Sequence, residues 1–284
     1  MDWLLLTFFS VVSRAIYGVS TKVLSNKVKT SVYTQAALLS FAGGLISLVI
    51  SPFLGGLSFN FAGVSLMAVA LVMLGQGLGN ITYFQSIKSL TNGTAQIAFS
   101  SILVFNTFLA LIFLNLHLSL INVFGLVLLM LAILSVTTGK VELNKKGVAL
   151  MILAALLFSV FQLSSAEISK QVGAPMYLMI AYFGAALVVF ALKGRIIIKD
   201  LSLAERRTTL GIPLVTAIPS LGNFIFAYYA YRNAPQPAKV AMLLTSQVVL
   251  TVFLSYFLLK EKEHMWRKVA AAVLVVVAAI LIKN

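Results

Sequence analysis

The chain has no cysteine, only seven acidic residues, two histidines and two tryptophans among 284 positions. Without cysteine there is no disulfide, no thiolate metal site and no thiol redox chemistry, and the compartment stays unconstrained. Two histidines, no paired carboxylates and no glycine-rich phosphate loop leave little for catalysis to use, so neither an enzyme nor a cofactor is expected. Long hydrophilic stretches are scarce as well, since only 10% of the residues are charged. Soluble domains carry about a quarter charged residues.

What is present is apolar. The chain is 61% hydrophobic, with a mean hydropathy of +1.04, which implies an all-α integral membrane protein whose outward side chains are solvated by lipid. The net charge of +14 raises the question of nucleic acid. With no soluble domain to hold one, the basic residues report orientation in a bilayer, and no nucleic-acid partner is expected. The first apolar run continues to about Leu24 without a small-residue cleavage site, so it reads as a span and not as a cleavable signal.

A spanning helix needs roughly 20 mostly apolar residues. Ten such segments follow, centred in 3–24, 32–54, 63–87, 93–115, 119–138, 147–169, 175–193, 209–232, 237–259 and 266–282. Their links are short. The hydrophilic stretch 139–146, GKVELNKK, stands at the midpoint and separates a first unit, 1–138, from a second, 147–284.

The two units repeat one another. Leu78-Gly79-Asn80 returns as Leu221-Gly222-Asn223, each followed by aromatics, a polar turn and an apolar run with a central threonine, Thr107 and Thr251. At nearly the same offset Ser20 falls on Ser164, Leu24 on Ile168, Tyr33 on Tyr177 and Ala37 on Ala181. Five segments per unit is an odd number, so the second unit must enter the membrane upside down. Inverted repeats of this kind are a transporter architecture, with the site near mid-membrane where the units meet.

Lysine and arginine are distributed unevenly. Sixteen lie in or beside the links after segments 1, 3, 5, 7 and 9, four lie on the opposite side, and Arg14 is inside segment 1. That asymmetry predicts the odd-numbered links in the cytoplasm and both termini outside, in the cell membrane.

Ten segments in two inverted halves, with almost no loops, resemble the drug/metabolite transporter superfamily, in its EamA-type ten-helix branch. The resemblance spans the chain and rests on few residues: Tyr17-Gly18 in segment 1, Ala230 with Pro237-Ala238-Lys239-Val240-Ala241 across segments 8 and 9, and Glu261 at the end of segment 9. His117 stands where the first half would match Glu261, which departs from the pattern. The resemblance implies transport of a small molecule and leaves the substrate open, since such proteins move amino acids, metabolites, nucleotide sugars, quaternary amines or lipid-linked groups. It also implies cytoplasmic termini, against the charge count.

Among individual residues Arg14 is the strongest signal, because a charge at mid-span costs about 2.5–3.5 kcal/mol on the insertion scale. Tyr17, Gly18 and Thr21 share its helical face. One reading is a fixed cation for a substrate carboxylate or phosphate; the other is an arginine satisfied by backbone carbonyls. The small multidrug branch of the superfamily has a glutamate at a similar place for cations and protons, and a positive charge argues against that chemistry. Gln76, Asn80 and Tyr83 lie on one face of segment 3, with Asn223 the repeat mate of Asn80. Further polar stripes carry Gln96, Ser100 and Thr107, then Ser159 and Gln162, then Gln247, Thr251 and Ser255. Each alone reads equally well as interhelical hydrogen bonding; together they read as walls of a wet cavity. Tyr228 and Tyr229 suit either a ring stack or an interface anchor. The candidate substrate residues are therefore Arg14, Tyr17, Gln76, Asn80, Tyr83, Gln162, Asn223, Tyr228 and Gln247.

The expected function is a secondary transporter or facilitator for a small anionic or zwitterionic metabolite, acting as a monomer in a lipid bilayer. A lipid head-group flippase, a quaternary-amine or nucleotide-sugar transporter, and a structural subunit of a membrane complex are the alternatives, with a homodimer the other assembly. The orientation is directly testable. A reporter fused after Asn284 is expected to read out as extracytoplasmic and one placed between Lys199 and Glu205 as cytoplasmic; the reverse pair overturns the assignment.

Overall fold

The computed structural model describes residues 2–57, 63–114, 119–137, 144–234, 240, 243–244 and 246–283. The described residues form eleven α-helices: α1 (Trp3–Lys27), α2 (Val32–Ile50), α3 (Leu66–Ile87), α4 (Asn92–Phe99), α5 (Ile102–Leu114), α6 (Leu120–Thr137), α7 (Lys145–Gln171), α8 (Ala174–Leu203), α9 (Arg206–Asn233), α10 (Gln247–Leu258) and α11 (Met265–Lys283). Seven are long and apolar enough to cross a membrane by themselves, and two shorter apolar helices are α6 and α10. Helices α4 and α5 together make the fourth segment. A short 3₁₀ turn, Ser51–Leu54, closes α2 and ends at Gly55, whose φ of +101° stops the chain from continuing as helix.

Polar caps mark the helix starts. The side chains of Asp2, Ser31, Ser65 and Asn144 accept the backbone N–H of Leu4, Thr34, Ala68 and Gly147, each satisfying a donor that the first turn leaves open. Pro175 opens α8, where its missing N–H costs nothing. Pro213 and Pro219 lie inside α9, tolerated because neighbouring helices re-satisfy the freed carbonyls.

The helix pairs reproduce the duplication. If α1, α2, α3, α4 with α5, and α6 correspond to α7, α8, α9, α10 with the residues before it, and α11, the main helix–helix contacts are preserved when the halves are exchanged. The α1–α9 contact has its mate in α3–α7, α3–α8 in α2–α9, and α1–α10 in α5–α7; α2–α8, α4–α10 and α6–α11 map onto themselves. Such closure under exchange is what a pseudo-two-fold axis produces. With five segments to each half, the repeats are inverted.

Close approach at these contacts depends on glycine. A Cβ at Gly75 of α3 would lie 2.9 Å from the Leu157 carbonyl and 3.0 Å from the Phe161 amide of α7, and one at Gly125 of α6 would lie 2.9 Å from the Ala278 carbonyl of α11. Both obstacles are backbone, which cannot rotate away. Large apolar residues such as Phe8, Val49, Leu120 and Phe124 face outward, as lipid contact requires.

Several boundaries differ from the sequence reading. The fourth segment, expected continuous over 93–115, breaks at Ser100–Ser101. The seventh, expected to end at 193, continues to Leu203, so the link expected over 194–208 shrinks to Ala204–Glu205. Hydropathy marks where a segment leaves lipid and is silent on where the helix stops. His117, Pro237-Ala238-Lys239 with Ala241, and most of the 139–146 link lie outside the described residues.

Gly75→Leu is expected to destabilise the protein by roughly 1–3 kcal/mol through overpacking of α3 on α7. Gly211→Ala, where an added Cβ meets nothing within 4 Å, is expected to leave the unfolding temperature of the detergent-solubilised protein unchanged or slightly raised.

Candidate functional site

Three helices meet at Gly18 of α1. A Cβ there would come within 3.2 Å of Gln96 Nε2 on α4 and 3.3 Å of Thr251 Cγ2 on α10, so the absent side chain lets α1 sit against both. From Gln96 the Nε2 donates to Tyr83 Oη of α3 at 2.7 Å, and the Thr21 hydroxyl lies 3.5 Å from that oxygen. Tyr83 is thus held by side chains of the two helices on either side of it.

Arg14 lies one turn from Gly18. Its Cζ sits 6.0 Å from the centroid of Phe99, and Tyr17 stands nearly one turn on from it along α1. Helices α1 and α10 run in the same direction and α4 runs against them. A turn back from Thr251 is Gln247, and a turn on from Gln96 is Ser100. Arg14 therefore lies level with Gln247 and with the break in the fourth segment.

That break has a mate in the other half. Ser101 N–H donates to Ala98 O, and Ser101 O accepts from Val104 and Phe105; Ser246 N–H donates to Leu243 O, and Ser246 O accepts from Val249 and Leu250. The two patterns match bond for bond, 145 positions apart in the sequence. A tightened 3₁₀-like turn inside a helix is a place where it can bend. The Ser101 hydroxyl and the Gln247 Oε1 are both buried and without a hydrogen-bond partner among the described residues.

Aromatic rings connect this centre to the second half. Tyr83 stacks edge-on to Phe99 with centroids 5.8 Å apart. Phe99 does so to Phe158 at 5.6 Å, Phe158 to Phe161 at 6.2 Å, Phe161 to Phe224 at 5.8 Å, and Phe224 to Tyr182 at 5.5 Å. The chain of rings crosses α3, α4, α7, α9 and α8.

The candidates named from sequence fall into three groups. Arg14, Tyr17, Tyr83 and Gln247 belong to this central cluster. Asn80 donates to Ser40 of α2 at 3.1 Å, whereas Asn223 accepts from the Ser10 hydroxyl of α1 at 3.0 Å, so the two asparagines hold different helices and not each other. Gln162 accepts from Asn106 at 2.9 Å, and Asn106 in turn accepts from Ser159 at 2.6 Å, a tie between α5 and α7. Gln76 is buried with an unpartnered Oε1. Tyr228 pairs edge-on with Tyr229 at 5.3 Å, a turn beyond Phe224. Phe99, Phe158, Ser101 and Asn106 were missed. Only the near-repeat of Ser101 as Ser246 could have pointed to one of them, since phenylalanines are common throughout.

On the basic face, carboxylates of the second half bind helix starts of the first. Glu261, after α10, accepts the backbone N–H of Asn92 at 2.7 Å and of Gly93 at 3.2 Å, at the start of α4. Lys268 lies 4.0 Å from it, and Asn92 Nδ2 donates to Ser255 at 2.8 Å. Asp200, late in α8, accepts the Ser31 N–H at 2.9 Å and the Thr34 hydroxyl at 2.6 Å, at the start of α2. Partial burial pushes the Asp200 carboxyl up, but these hydrogen bonds outweigh it and hold the group below its usual value. Lys22 reaches from α1 to the carbonyls of Ile87 and Leu90 that end α3.

Comparison with known proteins agrees with this architecture. A solved crystal structure superposes with a TM-score of 0.65 over 98% of this chain and 94% of that chain, at 12% identity, a likeness of fold alone. No curated protein matches the sequence. The model of the EamA-like transporter family matches twice, over residues 1–138 and 145–283. With both halves of its inverted repeat matched, the chain belongs to the EamA-like transporter family and is a multi-pass membrane transporter, not an enzyme.

Proposed function

We propose that the chain is a secondary transporter or facilitator that moves a small anionic or zwitterionic organic solute by alternating access. The observation that carries this reading is the position of Arg14, level with the paired breaks near Ser101 and Ser246, among buried polar atoms of Ser101 and Gln247 that have no partner in the described protein. A guanidinium holds a carboxylate or phosphate through two parallel N–H bonds. Gln247 Oε1 is an acceptor only, suited to a substrate donor such as an ammonium or amide. Tyr17 and Tyr83 supply hydroxyls at the same level, and Phe99 and Phe158 supply ring faces. Asn80, Asn223 and Gln162, engaged with neighbouring helices, shape the walls, and Gln76 and Tyr228 extend them toward the opposite face.

In this reading α4 is the gate on the basic side, which is the cytoplasmic side by charge distribution. All eight of its residues are buried. It is hinged at Ser100–Ser101 and held at its free end by Glu261. Opening swings α4 away and gives up the two hydrogen bonds to Asn92 and Gly93. One chain contains both halves of the repeat, which supports a monomer as the working unit. The two halves divide at 139–146, and the cell membrane is the site of action.

Two outcomes test the reading. Arg14→Lys keeps the charge and loses the planar fork, so transport affinity is expected to fall roughly tenfold or more. Arg14→Gln is expected to insert and fold yet lose the preference for anionic over neutral analogues. An Arg14→Gln variant that transports like the parent, at equal surface expression, ends the substrate-charge argument. For the gate, the absence of native cysteine allows one to be introduced cleanly at Thr21, on the basic side of Gly18. Losing a helix cap costs about 0.5–2 kcal/mol, so Glu261→Ala is expected to speed labelling of Thr21→Cys by an impermeant maleimide from the basic side about 2- to 30-fold. An unchanged rate removes Glu261 as the latch.

A further inference from the structure

Helix α8 is longer than a membrane is thick. Its 30 residues extend about 45 Å at 1.5 Å each, against a hydrocarbon core of about 30 Å that roughly 20 residues cross. Counted from Ala174, the core ends near Lys193, the one residue of α8 with non-helical backbone angles (φ −138°, ψ 24°). The segment beyond it, 194–203, has two opposed faces.

One face docks on the protein. Lys193 Nζ lies 5.4 Å from the ring centroid of Tyr33, Ile197 is buried in the main core cluster, and Asp200 is bound to Ser31 and Thr34. The opposite face carries Arg195 and Lys199, one turn apart and exposed. Ile196, Ile198 and Leu203 flank them, exposed at 38%, 59% and 78%. At Lys193 the irregular turn opens a groove lined by Phe190, Leu192, Gly194, Arg195, Ile196 and Ile198. Most of its lining is apolar, and Lys193 and Arg195 line it as well.

Depth decides what this groove fits. Arg195 lies about 3 Å and Lys199 about 9 Å beyond Lys193 along the helix, and the headgroup layer is about 5–8 Å deep on each side. Arg195 therefore stands at the level of lipid phosphates, Lys199 lies just beyond it with a flexible side chain that can reach back, and Phe190 and Leu192 are the apolar wall on the hydrocarbon side. A soluble anion has no use for that wall, and a neutral lipid leaves the cations unmatched.

We propose that the groove at Lys193 is a binding site for an anionic phospholipid of the leaflet on the basic side. Arg195 and Lys199 hold the phosphate, and the first carbons of an acyl chain lie against Phe190 and Leu192. The site is separate from the central cluster and does not depend on the transport reading.

The test uses the full-length protein in phosphatidylcholine nanodiscs with increasing phosphatidylglycerol. Bound lipid is counted by native mass spectrometry and the apparent unfolding temperature is followed in parallel. Phosphatidylglycerol is expected to be retained and to raise the unfolding temperature, which phosphatidylcholine and inorganic phosphate do not. A juxtamembrane cation contributes about 1 kcal/mol toward anionic lipid, so the double variant Arg195→Gln, Lys199→Gln is expected to weaken retention roughly tenfold or more. Lys260→Gln with Lys262→Gln, also on the basic face, serves as the control for general surface charge and is expected to retain the lipid. Leu192→Asn is expected to weaken retention with both cations in place. The proposal is overturned by equal losses in both double variants, by an Arg195/Lys199 variant that retains lipid like the parent, by an unaffected Leu192→Asn, or by inorganic phosphate reproducing the thermal shift.

Discussion

A bilayer supplies no water to a backbone or side chain that has lost its partner, and this constraint organises the molecule. A helix start within hydrocarbon has to find an acceptor inside the protein, because a bare N–H there costs several kcal/mol. Acidic residues supply part of that need, beside serine and asparagine. Asp2 accepts at the start of α1, Asp200 at the start of α2 and Glu261 at the start of α4. In each case a full negative charge meets the positive end of a helix dipole, the favourable arrangement for both.

These caps fall unevenly on the two faces. Apart from Asp2, every carboxylate lies in the midpoint link or the second half, and Asp200 and Glu261 reach across to helices of the first half. The pseudo-two-fold would place matching caps on the opposite face, supplied by the first half, yet the first half has no acidic residue available. At the start of α8, for instance, Gly173 makes no side-chain cap bond. The two repeats thus differ in the caps at their described helix starts. In the proposed alternating-access cycle this asymmetry favours one end state over the other.

Much of this was legible in the sequence, because the bilayer imposes a coarse code. Ten apolar runs, an odd number per half and repeated triplets at Asn80 and Asn223 were enough for the architecture. The irregularities were not legible. The break at Ser100–Ser101 leaves hydropathy untouched, since serine is tolerated inside spans, and the extension of α8 past Lys193 was hidden because charged residues look alike in a helix and in a link. At the centre, Arg14, Tyr17, Tyr83 and Gln247 were found as polar groups in apolar runs. Phe99 and Phe158 were not, for a physical reason: a ring packed at the centre and a ring that faces lipid have the same composition signal. Asn80 and Asn223 show the converse limit. Their repeat placed them correctly in the helices, yet which neighbour an amide bonds depends on helix rotation, and Ser40 and Ser10 claimed them.

The location of the unpaired polar atoms follows from the same constraint taken to its end. Among the described residues nine buried side-chain atoms have no hydrogen-bond partner, the oxygens of Ser101 and Gln247 among them. A buried polar atom without a partner costs about 1–3 kcal/mol, and selection for stability alone would replace it with an apolar side chain of similar size. Ser101 and Gln247 lie at or beside the paired helix breaks, at the depth of Arg14, where an inverted repeat brings its halves together. In the proposed transport site these two groups take their remaining partner from outside the chain. The same unsatisfied groups that destabilise the empty protein then contribute to holding the bound solute.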